Sequence, residues 1–252
     1  MILILTDTAS PRLDYIVRLL FVEISGLQVA VTTDRNEWLS FVGPRINYTK
    51  DSSDAPSFHI MPHGLLFEQG IRPVSIDVSE AQGMPVFFMN PTGDIPFDIF
   101  AASFFLVSRY EEYLPHARDA YGRFDALSSL AFRASFLHLP MVEMWASELR
   151  VSLMKRFPEL VFPAKRFSFL PTYDIDIAYA HAGRGAFRTI SGSIRSLVSG
   201  RFDLLRTRFR VVTGKETDPY DSYDFLNRLH DRFGLSAVFF MLAARNIKGY
   251  DR

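Results

Sequence analysis

Two aspartates one residue apart, Asp174 and Asp176, end the apolar, aromatic-rich stretch "FSFLPTYDIDIAYAH". Alternate residues of an extended strand share a face, which would put both carboxylates on one side with their Cα atoms roughly 6.5 to 7 Å apart. Two such groups at a partly dry strand end repel each other unless a cation, a shared proton or an arginine lies between them. In parallel sheets and barrels alike, ligands and catalytic groups gather at the carboxyl ends of strands, where this pair stands. The same spacing also suits a solvated turn in which either aspartate caps the next helix or accepts backbone N–H groups.

Three chemistries use such a pair. A nucleotide-sugar glycosyltransferase holds a divalent cation on the diphosphate with D-x-D. An aspartyl-phosphate phosphotransferase uses D-x-D-x-[ST], and Ala178 at the hydroxyl position disfavours it. In metal-assisted deacylation one aspartate binds the metal while its neighbour acts as base towards water.

Other side chains compete for attention. His59 and His63 have the H-x-x-x-H spacing of a chelating helix face, but Pro62 and β-like surroundings argue against a helix there. His181 lies in a polar loop and reads as solvated, and His230 reads as the exposed face of an amphipathic helix. Arg109, Tyr110, Glu111, Glu112 and Tyr113 suit a ligand cluster, with Arg123 of "YGRF" nearby, yet an ion-paired helix end with Arg109 reaching Glu112 or Tyr113 needs no ligand. The arginines at 184, 188, 195, 201, 206, 208 and 210 read as a solvated helical insertion, since no aromatic residues alternate with them for stacking.

The elements that must position these residues fall into two groups. "MILILT" predicts a buried strand, Ser10-Pro11 a helix start, Leu13, Ile16, Val17, Leu20 and Ile24 one helical face, Gly26 its stop, and "LQVAVTT" a second strand. Short β-like pieces ("INYTK", "FHIMP", "VSIDV", "MPVFFMN") then alternate with Pro and Gly from Arg45 to Asn90. A long helix is expected through "DIPFDIFAASFFLVSRYEEYL", closed by Pro115, and another after Pro140 with Val142, Trp145, Leu149 and Leu153 inward. "RFPELVFPAKR" marks a boundary near residues 158 to 166. Beyond it come a buried strand ending in TYDID, a polar insertion from Gly183 to Lys215, a helix through Phe225, Leu229 and Phe233 stopped by Gly234, and a second buried strand, "LSAVFFMLA". That β-α-β order predicts a parallel sheet.

Composition narrows the classes of partner. The chain has 252 residues, 48% hydrophobic and 22% charged, within the range of globular proteins. Lys+Arg and Asp+Glu both number 28, so no global field draws in nucleic acid or anionic lipid. Cysteine is absent, leaving His, Asp and Glu as the ligands available to a metal. The start lacks a basic segment before its short apolar run and does not read as a signal peptide, and Ile99 to Leu114 is too short and too charged to span a membrane. A cytoplasmic location with no membrane span and no nucleic-acid partner is expected.

"FLPTYDID" resembles the first motif of the polysaccharide deacetylase (NodB-homology) family, in a D-x-D variant of its T-F-D-D-G form. "DPYDSYDFL" and "SAVFFMLAARNIKGYDR" look like the helix and strand that follow in a bacterial subgroup. "FFLVSRYEEYL", "YGRFDALSS" and the helix leading to "RFPEL" are similar to the domain that precedes the deacetylase domain there. The likeness is loosest from Arg35 to Pro73.

The resemblance implies an α/β protein: a small N-terminal α/β domain over residues 1–162, then the first β/α units of a distorted (β/α) barrel over residues 163–252. It implies metal-dependent hydrolysis of N-acetyl groups on a carbohydrate in surface glycan metabolism, with Asp174 as catalytic base and Asp176 as ligand to a divalent metal, in all expectation zinc. The family completes its metal site with an H-x-x-x-H pair after the strand at Phe239–Leu242, and the sequence reaches Arg252 without one. The expectation is therefore an incomplete deacetylase domain, inactive as it stands and without a tightly bound metal. A non-catalytic carbohydrate-binding or scaffolding module is the alternative, and a D-x-D glycosyltransferase, unsupported by any Gly-rich phosphate loop, a further one.

Overall fold

In the computed structural model of the chain, the apolar opening forms β1 (Ile2–Thr6), buried along its whole length. The structure describes residues 1–51, 56–90, 92–164, 166–183, 190–191, 194, 197 and 199–241. They fall into two units, Met1–Ala164 and Lys165–Arg252.

In the first unit β1 pairs in parallel with β2 (Val29–Thr32) and β3 (Arg45–Tyr48), and β3 with β4 (Phe58–His59), giving the order β2-β1-β3-β4. The alternation of a strand divides the β1 side chains between two cores. Ile2 and Ile4 join the large cluster that also holds Leu13, Ile16, Phe21 and Phe100, while Leu3 and Leu5 pack with Trp38 in a smaller one. This is a mixed α/β architecture on a parallel sheet.

The helix after Pro11 runs as α1 (Pro11–Val17) and continues through a π-helical segment, Arg18–Ile24, to Gly26 at φ +69°. Ser10 stands at the N-cap but makes no capping bond, its hydroxyl donating instead to the Leu66 carbonyl. Trp38 comes from α2 (Arg35–Ser40), a helix not anticipated from the sequence, although Asp34 accepts from the N–H groups of Asn36 and Glu37 as an N-cap should. Of the β-like pieces that follow, "VSIDV" lies outside any strand, and β5 (Ser79–Ala81) and β6 (Met84–Val86) form a separate antiparallel pair.

The long helix expected to reach Leu114 is shorter. It runs as α3 (Ile99–Val107), and Arg109 then takes the left-handed conformation at φ +53° and turns the chain into a single 3-10 turn, Tyr110–Tyr113. The helix is buried nearly all round, with Ile99, Phe100, Ala101, Ala102, Ser103 and Phe105 inside. Its N-cap, Asp98, is fully buried: Oδ1 accepts from Phe100 and Ala101 N–H, and Oδ2 from the Tyr48 hydroxyl at 2.8 Å and His63 N–H at 2.7 Å. Burial pushes its carboxyl up to about 6 against the pull of those donors. A short helix, α4 (Leu130–Arg133), precedes α5 (Met141–Arg156), which buries Trp145, Leu149 and Leu153 as its spacing predicts.

The second unit pairs β7 (Thr172–Ile175) in parallel with β8 (Val238–Met241), with α6 (Phe202–Val212) and α7 (Tyr223–Phe233) between them in sequence. Gly234, left-handed at φ +60°, stops α7 as expected. Neither strand is buried. Val238, Phe239, Phe240 and Met241 are 37 to 65% exposed, and only Tyr173 and Ile175 of β7 are half-covered. The helix α7 turns Tyr223, Leu226 and His230 inward, so Phe225 and Phe233, expected inside, are exposed and His230, expected outside, is buried. The buried His230 ring has a partner there, the Tyr173 hydroxyl at 2.9 Å, 57 residues away in sequence. Among the described residues no helix is long and apolar enough to cross a membrane.

Candidate functional site

The strand β7 carries Asp174 within it, and Asp176 follows one residue after its end, both exposed. They line a pocket of about 520 Å3 together with Tyr220, Tyr223, Leu226 and Phe239. Sequence spacing had linked the two aspartates; the tyrosines that join them come from the "DPYDSYDF" stretch, which carried no chemical role of its own.

Three residues hold this arrangement. Tyr173, between Thr172 and Asp174, bonds through its hydroxyl to His230 Nε2 at 2.9 Å and stacks on Phe239 of β8 with ring centroids 5.0 Å apart. The strand pairing sets Tyr173 opposite Phe239 and Asp174 opposite Phe240. Tyr223 donates to the Ala178 carbonyl at 3.2 Å, tying α7 to the segment after β7.

The third is Asp218, which the sequence did not single out. Its Oδ1 accepts from Ala180 N–H at 2.8 Å and Tyr220 N–H at 3.0 Å, and its Oδ2 from His181 N–H at 2.7 Å and Ala182 N–H at 2.9 Å. Those donors outweigh the upward push of burial and hold the carboxyl well below the usual carboxylate range. Asp218 thus locks the turn after Asp176 to the residues that enter α7. The available signal was Asp218-Pro219, a pair that favours turn initiation.

The remaining candidates divide. The His181 backbone belongs to the Asp218 turn. His59 sits in β4 with Nε2 3.0 Å from the Thr49 carbonyl, and His63 stacks on Phe88 with ring centroids 3.9 Å apart, so the two share no helix face. Arg109 pairs with Glu112, as the ion-paired reading expects, and Arg123 pairs with Asp119 rather than with that cluster. Arg206, Arg208 and Arg210 fall on α6, with Arg210 3.3 Å from Glu216. The arginines at 184, 188 and 195, and the end of the "LSAVFFMLA" stretch with the residues after it, lie outside the described residues.

A structural zinc site takes four protein ligands and a catalytic one three. Among the described residues no group of three or more His, Asp or Glu side chains is arranged to hold a metal, so Asp174 and Asp176 alone do not compose such a set.

A family model described as "Family of unknown function (DUF7033)" matches residues 2–158. No curated protein and no solved structure matches the chain.

Proposed function

The chain belongs to this family of unknown function, DUF7033, and from the geometry of its C-terminal unit we propose that it serves a carbohydrate N-deacetylase of the polysaccharide deacetylase type. The observation that carries the reading is the pocket in which Asp174 and Asp176 meet the aromatic residues Tyr220, Tyr223 and Phe239. Aromatic walls with a few convergent polar groups suit a sugar ring and fix its orientation. The resemblance of "FLPTYDID" to the deacetylase motif adds the chemistry: Asp174 takes the proton of the attacking water and Asp176 contributes one ligand to a divalent metal, zinc by the family's habit.

The described residues do not supply the full ligand set. What this chain's own groups do is narrower. Asp174 and Asp176 supply negative charge and proton-accepting oxygens at one wall, Phe239 supplies apolar surface, and Asp218 keeps the turn beyond Asp176 from drifting. The exposed apolar residues of β8 support a barrel-type continuation of the sheet, because parallel sheets are stable when covered on both faces. A cytoplasmic site of action belongs to the same proposal.

The test is release of acetate from an N-acetylated oligosaccharide by the protein as its source cell makes it, with and without added zinc. Asp174→Ala abolishes the release on this reading, and full activity in that variant sinks it. One observation favours a second reading. A pocket with two carboxylates and three aromatic rings binds a glycan without any metal, so glycan binding that is indifferent to chelators and unaccompanied by acetate release identifies a non-catalytic module.

A further inference from the structure

A second pocket, of about 460 Å3, lies wholly within the N-terminal unit, and its polar lining is Glu111, His116, Ser128 and Arg133. Its apolar lining includes Phe105 and Phe124. Two stretches singled out in the sequence, "FFLVSRYEEYL" and "YGRFDALSS", converge here, and nothing in the C-terminal chemistry uses them.

Glu111 and His116 are held in place before any ligand arrives. Glu111 Oε1 accepts from the Leu130 N–H at 2.7 Å, which anchors the carboxylate at the start of α4. His116 Nδ1 lies 2.7 Å from the Leu114 carbonyl; a carbonyl only accepts, so Nδ1 carries a proton there and Nε2 is the nitrogen left to face a ligand. His116 meets Phe124 edge to face at 5.0 Å between centroids. The rim between them is a hairpin, bridged at Arg118 and Phe124 and tied internally by Asp119, which accepts from Tyr121 and Arg123 N–H and from the Arg123 guanidinium. Fixed side chains of this kind lower the ordering cost of binding.

Charge selects the ligand class. One carboxylate and one guanidinium cancel. A phosphate or carboxylate ligand would meet Glu111, and a purely apolar one would strip water from polar groups without replacing their hydrogen bonds. A neutral ring bearing several hydroxyls satisfies both: hydroxyls donate to Glu111 and His116 Nε2 and accept from Arg133, while the C–H face rests on Phe105 and Phe124. We infer that the N-terminal unit binds a neutral hexopyranose unit of a glycan in the pocket between Glu111, His116 and Arg133. The inference does not depend on what the C-terminal unit catalyses.

The test is saturation-transfer NMR and titration calorimetry on the whole 252-residue chain with cellobiose and chitobiose as neutral probes and glucuronate and glucose 6-phosphate as anionic ones. A neutral disaccharide binds, and Glu111→Gln, which keeps an oxygen for the Leu130 N–H, and Arg133→Met each weaken it about tenfold to a hundredfold, as the loss of one charged hydrogen bond would. Glu112→Gln, outside the pocket, leaves it unchanged. Binding of cellobiose, which carries no N-acetyl group, that survives Glu111→Gln and Arg133→Met overturns the assignment. So does a preference for the anions, or no binding of either disaccharide at millimolar concentration.

Discussion

Replacing Asp218 by asparagine tests how the second unit holds its candidate site. Each carboxylate oxygen accepts two backbone N–H groups, at 2.7 to 3.0 Å, so the side chain's acceptor capacity is nearly full. The isosteric amide turns one oxygen into a donor that faces two donors. Hydrogen bonds to a charged group contribute about 1.5–3 kcal/mol each, and the two that survive fall to about 1 kcal/mol. Water takes over the two released N–H groups, so the net local loss is that of the two surviving bonds falling from charged to neutral strength, on the order of 2 kcal/mol in all. That corresponds to about thirtyfold faster amide hydrogen exchange at Ala180, His181 and Ala182, since 1.36 kcal/mol is a factor of ten. The β7–β8 ladder should keep its protection. Because the folded carboxyl is held below its unfolded value near 3.9, the anchor is intact above that pH and is lost as pH falls through and below it. A change of less than threefold at those three amides, or an equal rise throughout the unit, would refute the account of Asp218 as a local lock.

Both tryptophans, Trp38 and Trp145, are fully buried in the first unit, so their fluorescence reports its unfolding alone. Asp98 titrates near 6 when folded and near 3.9 when unfolded. Its contribution is therefore complete below about pH 4 and lost as pH rises through 6, and fluorescence-detected urea unfolding should show the first unit losing on the order of 2–3 kcal/mol across that window, a slope absent in Asp98→Ala. The same variant, at pH 7, loses the N-cap and leaves the Tyr48 hydroxyl and three backbone N–H groups without their acceptor, a cost of about 3–5 kcal/mol in that urea titration. Tyr173→Phe should cost about 1 kcal/mol in the second unit and sharpen no other contact, read by exchange at the β7 amides, because it removes the single bond to His230.

What the sequence made legible follows from where periodicity speaks and where it does not. The β1-α1-β2 opening and α5 were readable because their apolar spacing is regular and their ends are marked by Pro11, Gly26 and Pro140. The α2 helix escaped notice since it is short and buries mainly Trp38; only the Asp34 and Glu37 spacing announced it. The α3 helix was overextended because Tyr110, Tyr113 and Leu114 continue its apolar run past the point where Arg109 reverses the backbone, a conformation no apolar pattern encodes. In the second unit the Asp174 and Asp176 pair was legible by type and spacing alone. Its surroundings were not: the partner that meets His230 on the inner face, the Tyr173 hydroxyl, lies 57 residues away, and Asp218 acts on backbone groups whose positions only folding supplies.

The most direct test of the proposed function is acetate release from chitotetraose by the protein as its source cell makes it, comparing wild type, Asp174→Asn and Asp176→Asn with zinc supplied. The proposal predicts zinc-dependent release that drops about 10²- to 10⁴-fold in Asp174→Asn, the usual contribution of a positioned general base, and that Asp176→Asn loses together with zinc affinity. Release that is unaltered in Asp174→Asn, or equally fast after zinc is chelated, would contradict it.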